Sequence, residues 1–232
     1  MSSIKYIIAL LVLFQTPICF SQEGQTPIID KHYKEDQFYI GVTYNLLNRT
    51  PSHLNQTGFS PGIHFGFIKD MPVNKARNVA IGLGLGLSSN TYNQNVFIDV
   101  NNTNSFNYSL ITDSNTFSKN KFSTHFVEIP LEFRWRTSTA TSYEFWRIYA
   151  GFKFSYLLAH NTKYKGDLGS FKHSNISDFN NFQYGLSLSA GYNTWNIHFY
   201  YALNPIFSKA AKLDGKTINF NAIKIGLMFY IL

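Results

Sequence analysis

The feature that most constrains this chain is an alternation of apolar with small or polar residues, repeated eight times after residue 37. In the third run Val79, Ile81, Leu83, Leu85 and Leu87 fall on one face, while Ala80, Gly82, Gly84, Gly86 and Ser88 fall on the other. A period of two is the mark of a β-strand whose faces meet unlike surroundings. The other runs cover 38–46, 59–67, 127–136, 146–156, 182–192, 195–204 and 222–231. Most reach the roughly 9–11 residues that a tilted strand needs to cross a bilayer. Long polar links (47–58, 89–121, 159–181, 205–217) alternate with shorter ones (69–77, 137–144, 193–194). An even strand count, with short turns at one end and long loops at the other, is the pattern of an outer-membrane barrel whose short turns are periplasmic. The predicted fold is all-β: an antiparallel, eight-stranded transmembrane β-barrel with both termini in the periplasm.

Volume decides which face looks outward. A soluble barrel would bury the apolar faces, but the interior of eight strands is only just filled by side chains. It cannot hold the bulk of 22 Phe and 15 Tyr. Turned the other way, the Gly and Ser of runs three and six make room for the Glu, Arg, Lys and Tyr of runs four and five. The mean hydropathy of −0.14 excludes little, because it averages a lipid face with a lumen face. What is excluded is a helical span, since no mature stretch reaches about 18 consecutive apolar residues. Trp135, Trp146 and Trp195 share outward parity beside short turns, where a periplasmic aromatic girdle belongs.

Residues 1–21 read as a signal peptide, with Lys5 as the basic start, Tyr6 to Phe14 as the apolar stretch and Cys19-Phe20-Ser21 as the cleavage site. A lipoprotein anchor at Cys19 is the alternative; Ile18, which is not small, speaks against it. Residues 22–37 then form a periplasmic N-terminal segment, and 38–232 the barrel. Removing Lys5 takes the net charge from +7 to +6, since the segment holds no acid. Cys19 is the one cysteine, so the mature chain has no disulfide, thiol nucleophile or Cys-based metal site. No cofactor is expected.

Inward parity gathers Glu128, Glu132, Arg134, Arg136, Arg147, Lys153 and Lys224. With a turn centred near residues 140–141, one register sets Glu128 opposite Lys153, and a two-residue shift sets Glu132 opposite Arg147. The expected role is a salt-bridge network filling a closed barrel; a selective polar channel is the functional alternative. Ser123 and His125 share outward parity at the extracellular end of run four. A lipid-face hydrolase would need a carboxylate beside them, and Glu128 points inward, so no catalytic residue is assigned. His64 and His198 are lone inward residues without metal spacing.

In the 89–121 link, Val96, Ile98 and Val100 alternate, as do Phe106, Tyr108 and Leu110, around Asn101 to Asn104. This reads as a hairpin projecting beyond the membrane with edges open to a partner, or as a surface loop. A ten-stranded barrel would need longer arms. The extracellular links hold Arg49, Lys119, Lys121, Lys163, Lys165, Lys172, Lys209, Lys212 and Lys216 against Asp99, Asp113, Asp167, Asp178 and Asp214. A basic rim of Lys119, Lys121, Lys163, Lys165 and Lys172 suits the phosphates of lipopolysaccharide and outer-membrane lipids. No nucleic-acid partner is expected, and Gly82, Gly84 and Gly86 lie within a strand rather than in a phosphate-binding loop.

Several segments carry a family resemblance: Gly66-Phe67-Ile68-Lys69-Asp70-Met71-Pro72-Val73-Asn74, the Gly-Leu-Gly-Leu-Gly run from Gly82, Val127-Glu128-Ile129-Pro130-Leu131-Glu132-Phe133-Arg134, and Tyr149-Ala150-Gly151-Phe152-Lys153. They resemble the PorT-like outer-membrane β-barrel family of Bacteroidetes-type bacteria, over essentially the whole mature chain. These motifs are strand patterns, not catalytic signatures. The resemblance implies an outer-membrane location, and the founding member is associated with type IX secretion and gliding. The expected function is thus a non-enzymatic structural or partner-binding surface protein, with an envelope or secretion-machinery protein as its partner. A small porin-like channel is the alternative, and a lipid-modifying hydrolase a lesser one.

Overall fold

A computed structural model of the chain describes residues 34–51, 53–100, 105–111, 115–138 and 144–231. The signal-peptide and Cys19 readings lie outside the described residues. Among the described residues, thirteen strands run in the order β1 (Gln37–Asn48), β2 (Pro61–Pro72), β3 (Val79–Asn93), β4 (Val96–Val100), β5 (Phe106–Leu110), β6 (Phe117–Arg136), β7 (Trp146–Gly166), β8 (Gly169–Ser174), β9 (Phe182–Tyr192), β10 (Trp195–Ala202), β11 (Lys212–Leu213), β12 (Lys216–Thr217) and β13 (Asn221–Ile231). Eight of them, in the order β6-β3-β2-β1-β13-β10-β9-β7, form an antiparallel sheet that the β6–β7 pairing closes into a barrel. Each corresponds to one of the eight alternating runs. The 96–110 hairpin stays out of the wall, so the count is eight and not ten.

Parity holds along the wall. In β1, Phe38, Ile40 and Val42 are exposed while Tyr39, Thr43 and Asn45 are buried. The small inward residues make space for large ones. Tyr39 pairs with Gly66, which pairs with Gly86, and a Cβ on Gly66 would come within 2.6 Å of the Tyr39 hydroxyl and of the Gly86 Cα. A side chain at either glycine and the tyrosine ring cannot share the lumen.

Register departs from both sequence expectations. Glu128 faces Ser155 and Glu132 faces Gly151, with Arg136 opposite Arg147, so neither Glu128–Lys153 nor Glu132–Arg147 is a directly opposed pair. The β6–β7 register is centred one residue farther along the chain than expected. Two of the long links also shrink, because β6 starts at Phe117 and β7 runs on to Gly166, where it turns into β8. These three strands extend beyond the wall as one sheet, past an irregularity at His125/Phe126.

The remaining long links are not merely polar. Leu54, Ile176, Phe179, Ile206, Phe207 and Leu213 are drawn from three of the four long links, and with Ile218 they pack against Tyr92, Phe122, Phe126, Tyr200 and Phe220 of the wall and its flanks. β4 and β5 pair as a hairpin, as the alternation suggested, but the hairpin is folded over the barrel mouth rather than projecting from it. Val96, Ile98 and Tyr108 enter the same core, and β5 pairs in parallel with β11 to make a four-stranded sheet β12-β11-β5-β4. Burying these side chains is worth about 1.5–3 kcal/mol each, so the cap is a hydrophobic core in its own right.

Candidate functional site

Two carboxylates organise the lumen. The first is Glu128, fully buried on β6. Its Oε2 lies 3.2 Å from Lys153 Nζ of β7 and 3.6 Å from His64 Nδ1 of β2; its Oε1 lies 4.0 Å from Lys224 Nζ of β13 and accepts a 2.7 Å hydrogen bond from Ser88. Lys153 is reached on the diagonal, one pair away from the opposed position. The Tyr200 ring sits between the two ammoniums, 5.7 Å from Lys153 Nζ and 5.0 Å from Lys224 Nζ, which adds cation–π support. His64, which sequence parity left isolated, belongs to this group and also contacts Thr43 Oγ1 at 3.2 Å.

The second is Asp70, which the sequence reasoning passed over. Its Oδ1 accepts from Arg134 at 2.8 Å and from Arg136 at 2.7 Å, and its Oδ2 accepts from Arg136 at 2.8 Å and from the Glu35 amide at 3.1 Å. Arg134 also donates to the Glu35 carbonyl and to Gln37 Oε1, and lies 4.0 Å above the Tyr149 ring. Glu132 is 3.6 Å from Arg134 Nε. Arg147 has Phe145 stacked at 4.4 Å. Glu35 and Gln37 are buried, so the end of the 22–37 segment enters the barrel, and β1 begins one residue before the expected boundary. All seven inward charges singled out in the sequence are buried, in two clusters rather than one. Continuing the parity of run two past Phe67, through Ile68 to Asp70, would have located the second hub.

The lumen has little free space. The void bounded by Tyr39, Ile68, Pro130, Glu132, Lys153, His198, Met228 and Tyr230 measures about 10 Å³, roughly the room for one water. Ser189 and His198 form a 2.7 Å contact there, joined by the Tyr230 hydroxyl at 3.1 Å, but they face no space a substrate can enter. At the rim, Ser123 is buried and its hydroxyl contacts that of Thr91 at 3.0 Å.

On the outside, Trp135, Trp146 and Trp195 are exposed at the short-turn end, Trp195 at 63%. A largely apolar groove of about 700 Å³ runs between Phe38, Ile40, Phe65, Phe67, Leu85 and Leu87. At the loop end the cap is pinned by the Tyr108 hydroxyl, which donates to Asp178 at 3.0 Å. Burial, reinforced by that carboxylate, pushes the phenol pKa upward, so it remains a donor. Lys119, Lys121, Lys163, Lys165 and Lys172 lie not in loops but on β6, β7 and β8.

A family model described as "Outer membrane protein beta-barrel domain" matches residues 20–208, which takes in every wall strand except β13. No curated protein matches the chain.

Proposed function

We propose that this chain, which belongs to the outer membrane protein beta-barrel domain family, is a closed, non-enzymatic structural or partner-binding protein of the cell surface rather than a pore. The supporting observation is that the lumen is blocked at three levels. The Asp70–Arg134–Arg136 cluster with Glu35 fills the short-turn end, Glu128 and its cations fill the middle, and the hydrophobic cap covers the loop end. We adopt the orientation that suits the aromatic girdle, with the short turns and both chain termini on the periplasmic side and the cap outside. Resemblance to the PorT-like family supports an accessory role in type IX secretion or gliding as its specific form. A porin-like channel would need an open lumen, and a lipid hydrolase would need a Ser–His couple at an accessible rim. Planar-bilayer recording tests the reading: the purified barrel should give no conductance steps, whereas stable single-channel steps from monodisperse wild-type protein would overturn it. Cross-linking in intact cells identifies the envelope partner.

A further inference from the structure

The five lysines of the rim come from two distant stretches of sequence, yet the strand register brings them onto one surface. Lys119 is directly opposite Lys165, Lys121 opposite Lys163, and Lys163 opposite Lys172. Opposed residues of an antiparallel ladder project on the same side with Cβ atoms about 4.5–5.5 Å apart. All five ammoniums therefore share one face of the β6–β7–β8 extension. The other face holds Asn120, Thr162 and Tyr164, buried beneath the cap. None of the five lysines forms an ion pair with a described carboxylate. Asp167, the acid at the β7–β8 turn, is engaged by the Thr116 amide at 2.7 Å and the Thr116 hydroxyl at 2.8 Å. Like charges set directly opposite one another destabilise a sheet, and here three such pairs stand side by side. A surface of this kind gains most from a polyanion laid across it.

Position selects the polyanion. The lysine face is the upward continuation of the outward faces of β6 and β7, which carry Ile129 and Leu131, and Phe152, Phe154, Tyr156 and Leu158. It therefore looks sideways, along the wall, while a protein arriving from above meets the cap. Lys163 lies five residues beyond Leu158, with the uncharged row Ser123, Asn161 and Ser174 between. At about 3.4 Å per residue and a tilt of about 40°, Lys121, Lys163 and Lys172 stand about 13 Å above the last apolar side chain, with Lys119 and Lys165 one row farther out. Lipid headgroup phosphates sit at the edge of the apolar band, so the lysines stand level with the sugars beyond it. We infer that the Lys119/Lys121/Lys163/Lys165/Lys172 face binds the phosphate- and carboxylate-bearing core saccharide of neighbouring lipopolysaccharide. This rests on the cap-outward orientation proposed above.

The test uses the full mature barrel in detergent, with binding measured to lipopolysaccharide bearing a phosphorylated core, to lipid A alone and to core oligosaccharide freed of lipid. The variant is Lys121→Gln/Lys163→Gln/Lys172→Gln, checked for folding by its heat-dependent gel shift. Core-bearing lipopolysaccharide and the free core should bind at least about tenfold more tightly than lipid A, with the advantage lost in the triple variant and at high salt. The same variant should melt higher than wild type in lipopolysaccharide-free detergent, because two of the three repulsive pairs are removed. Equal affinity for lipid A and core-bearing lipopolysaccharide, or a triple variant that binds the core like wild type, would overturn the inference. So would capture of an acidic protein on this face without any saccharide binding. A folded, non-conducting barrel that binds no saccharide refutes this inference alone; a conducting one refutes the closed-barrel reading and leaves the saccharide assay to be judged separately.

Discussion

Replacing Glu128 with Gln isolates what the buried charge does. The amide keeps the volume of the carboxylate and still accepts from Ser88, but it removes the counter-charge shared by Lys153 at 3.2 Å, Lys224 at 4.0 Å and His64 at 3.6 Å. Both lysines are almost fully buried and have no other described carboxylate within salt-bridge distance, so the variant leaves two desolvated ammoniums facing each other across Tyr200. Removing one partner of a buried pair costs about 3–5 kcal/mol. For a domain of this size each kcal/mol is worth roughly 2–4 °C, so the variant should melt roughly 6–20 °C below wild type. The assay is the loss of the fast-migrating folded band on unboiled gels as temperature rises. A second substitution supplies the control: Lys224→Met added to Glu128→Gln removes one stranded cation and should recover part of the loss, a coupling that a double-mutant cycle reads directly. If Glu128→Gln melts with wild type, or if the two losses simply add, the network does not stabilise the barrel.

Asp70→Asn should cost a similar amount, about 3–5 kcal/mol, because the two buried guanidinium groups lose the carboxylate that bridges them. It should also release residues 34–37, seen as faster amide exchange there; unchanged exchange would refute the hold of Asp70 and Arg134 on Glu35. Gly66→Val forces a branched side chain into the Tyr39–Gly86 contact and should destabilise the barrel by about 1–3 kcal/mol on the same gel assay, with Tyr39→Ala in the same chain recovering part of it. A barrel indifferent to the valine would contradict the close approach at Gly66. At the β7–β8 turn, hydrogen bonds from the Thr116 amide and hydroxyl hold the Asp167 carboxyl below its usual pKa. A depressed folded value means that the turn gains stability above the ordinary carboxylate pKa and loses it as pH falls through the folded one. Exchange of the Thr116 amide should therefore accelerate in acid, and Asp167→Asn should flatten that dependence; protection that is level with pH in wild type would refute it.

The alternation made the wall legible because lipid and lumen differ at every second residue, and the bulk of the apolar side chains set which face looks outward. Asp70 escaped because Lys69 and Asp70 look like the start of a turn, although inward parity continues through Ile68. The cap escaped for a different reason. Ile176, Phe179, Ile206, Phe207 and Leu213 come from irregular segments with no period, and only the folded chain collects them with Tyr108 and Phe122. The same holds for the lysine face, whose members read as scattered loop charges until β6 and β7 are seen to run past the wall.

Register is the instructive failure, because parity alone fixes it only to within two residues. A one-residue slip of β6 would turn Glu128, Glu132, Arg134 and Arg136 to the lipid, where a charged side chain costs more the deeper it lies. The buried charges therefore forbid odd slips. Even slips keep parity, and pairing opposite charges, the obvious criterion, chooses the wrong one. The observed register instead sets glycine beside the bulky charged chains: Glu132 lies between Gly82 and Gly151, and Glu128 lies opposite Gly86. A Cβ on Gly151 would approach the Glu132 Cα to 2.8 Å, so a larger residue there collides with the chain that carries the charge. Long side chains reach their counter-ions diagonally, as Lys153 reaches Glu128, while volume must be matched across each rung. In so narrow a lumen, steric fit between rungs outranks charge pairing in choosing among the registers that parity allows.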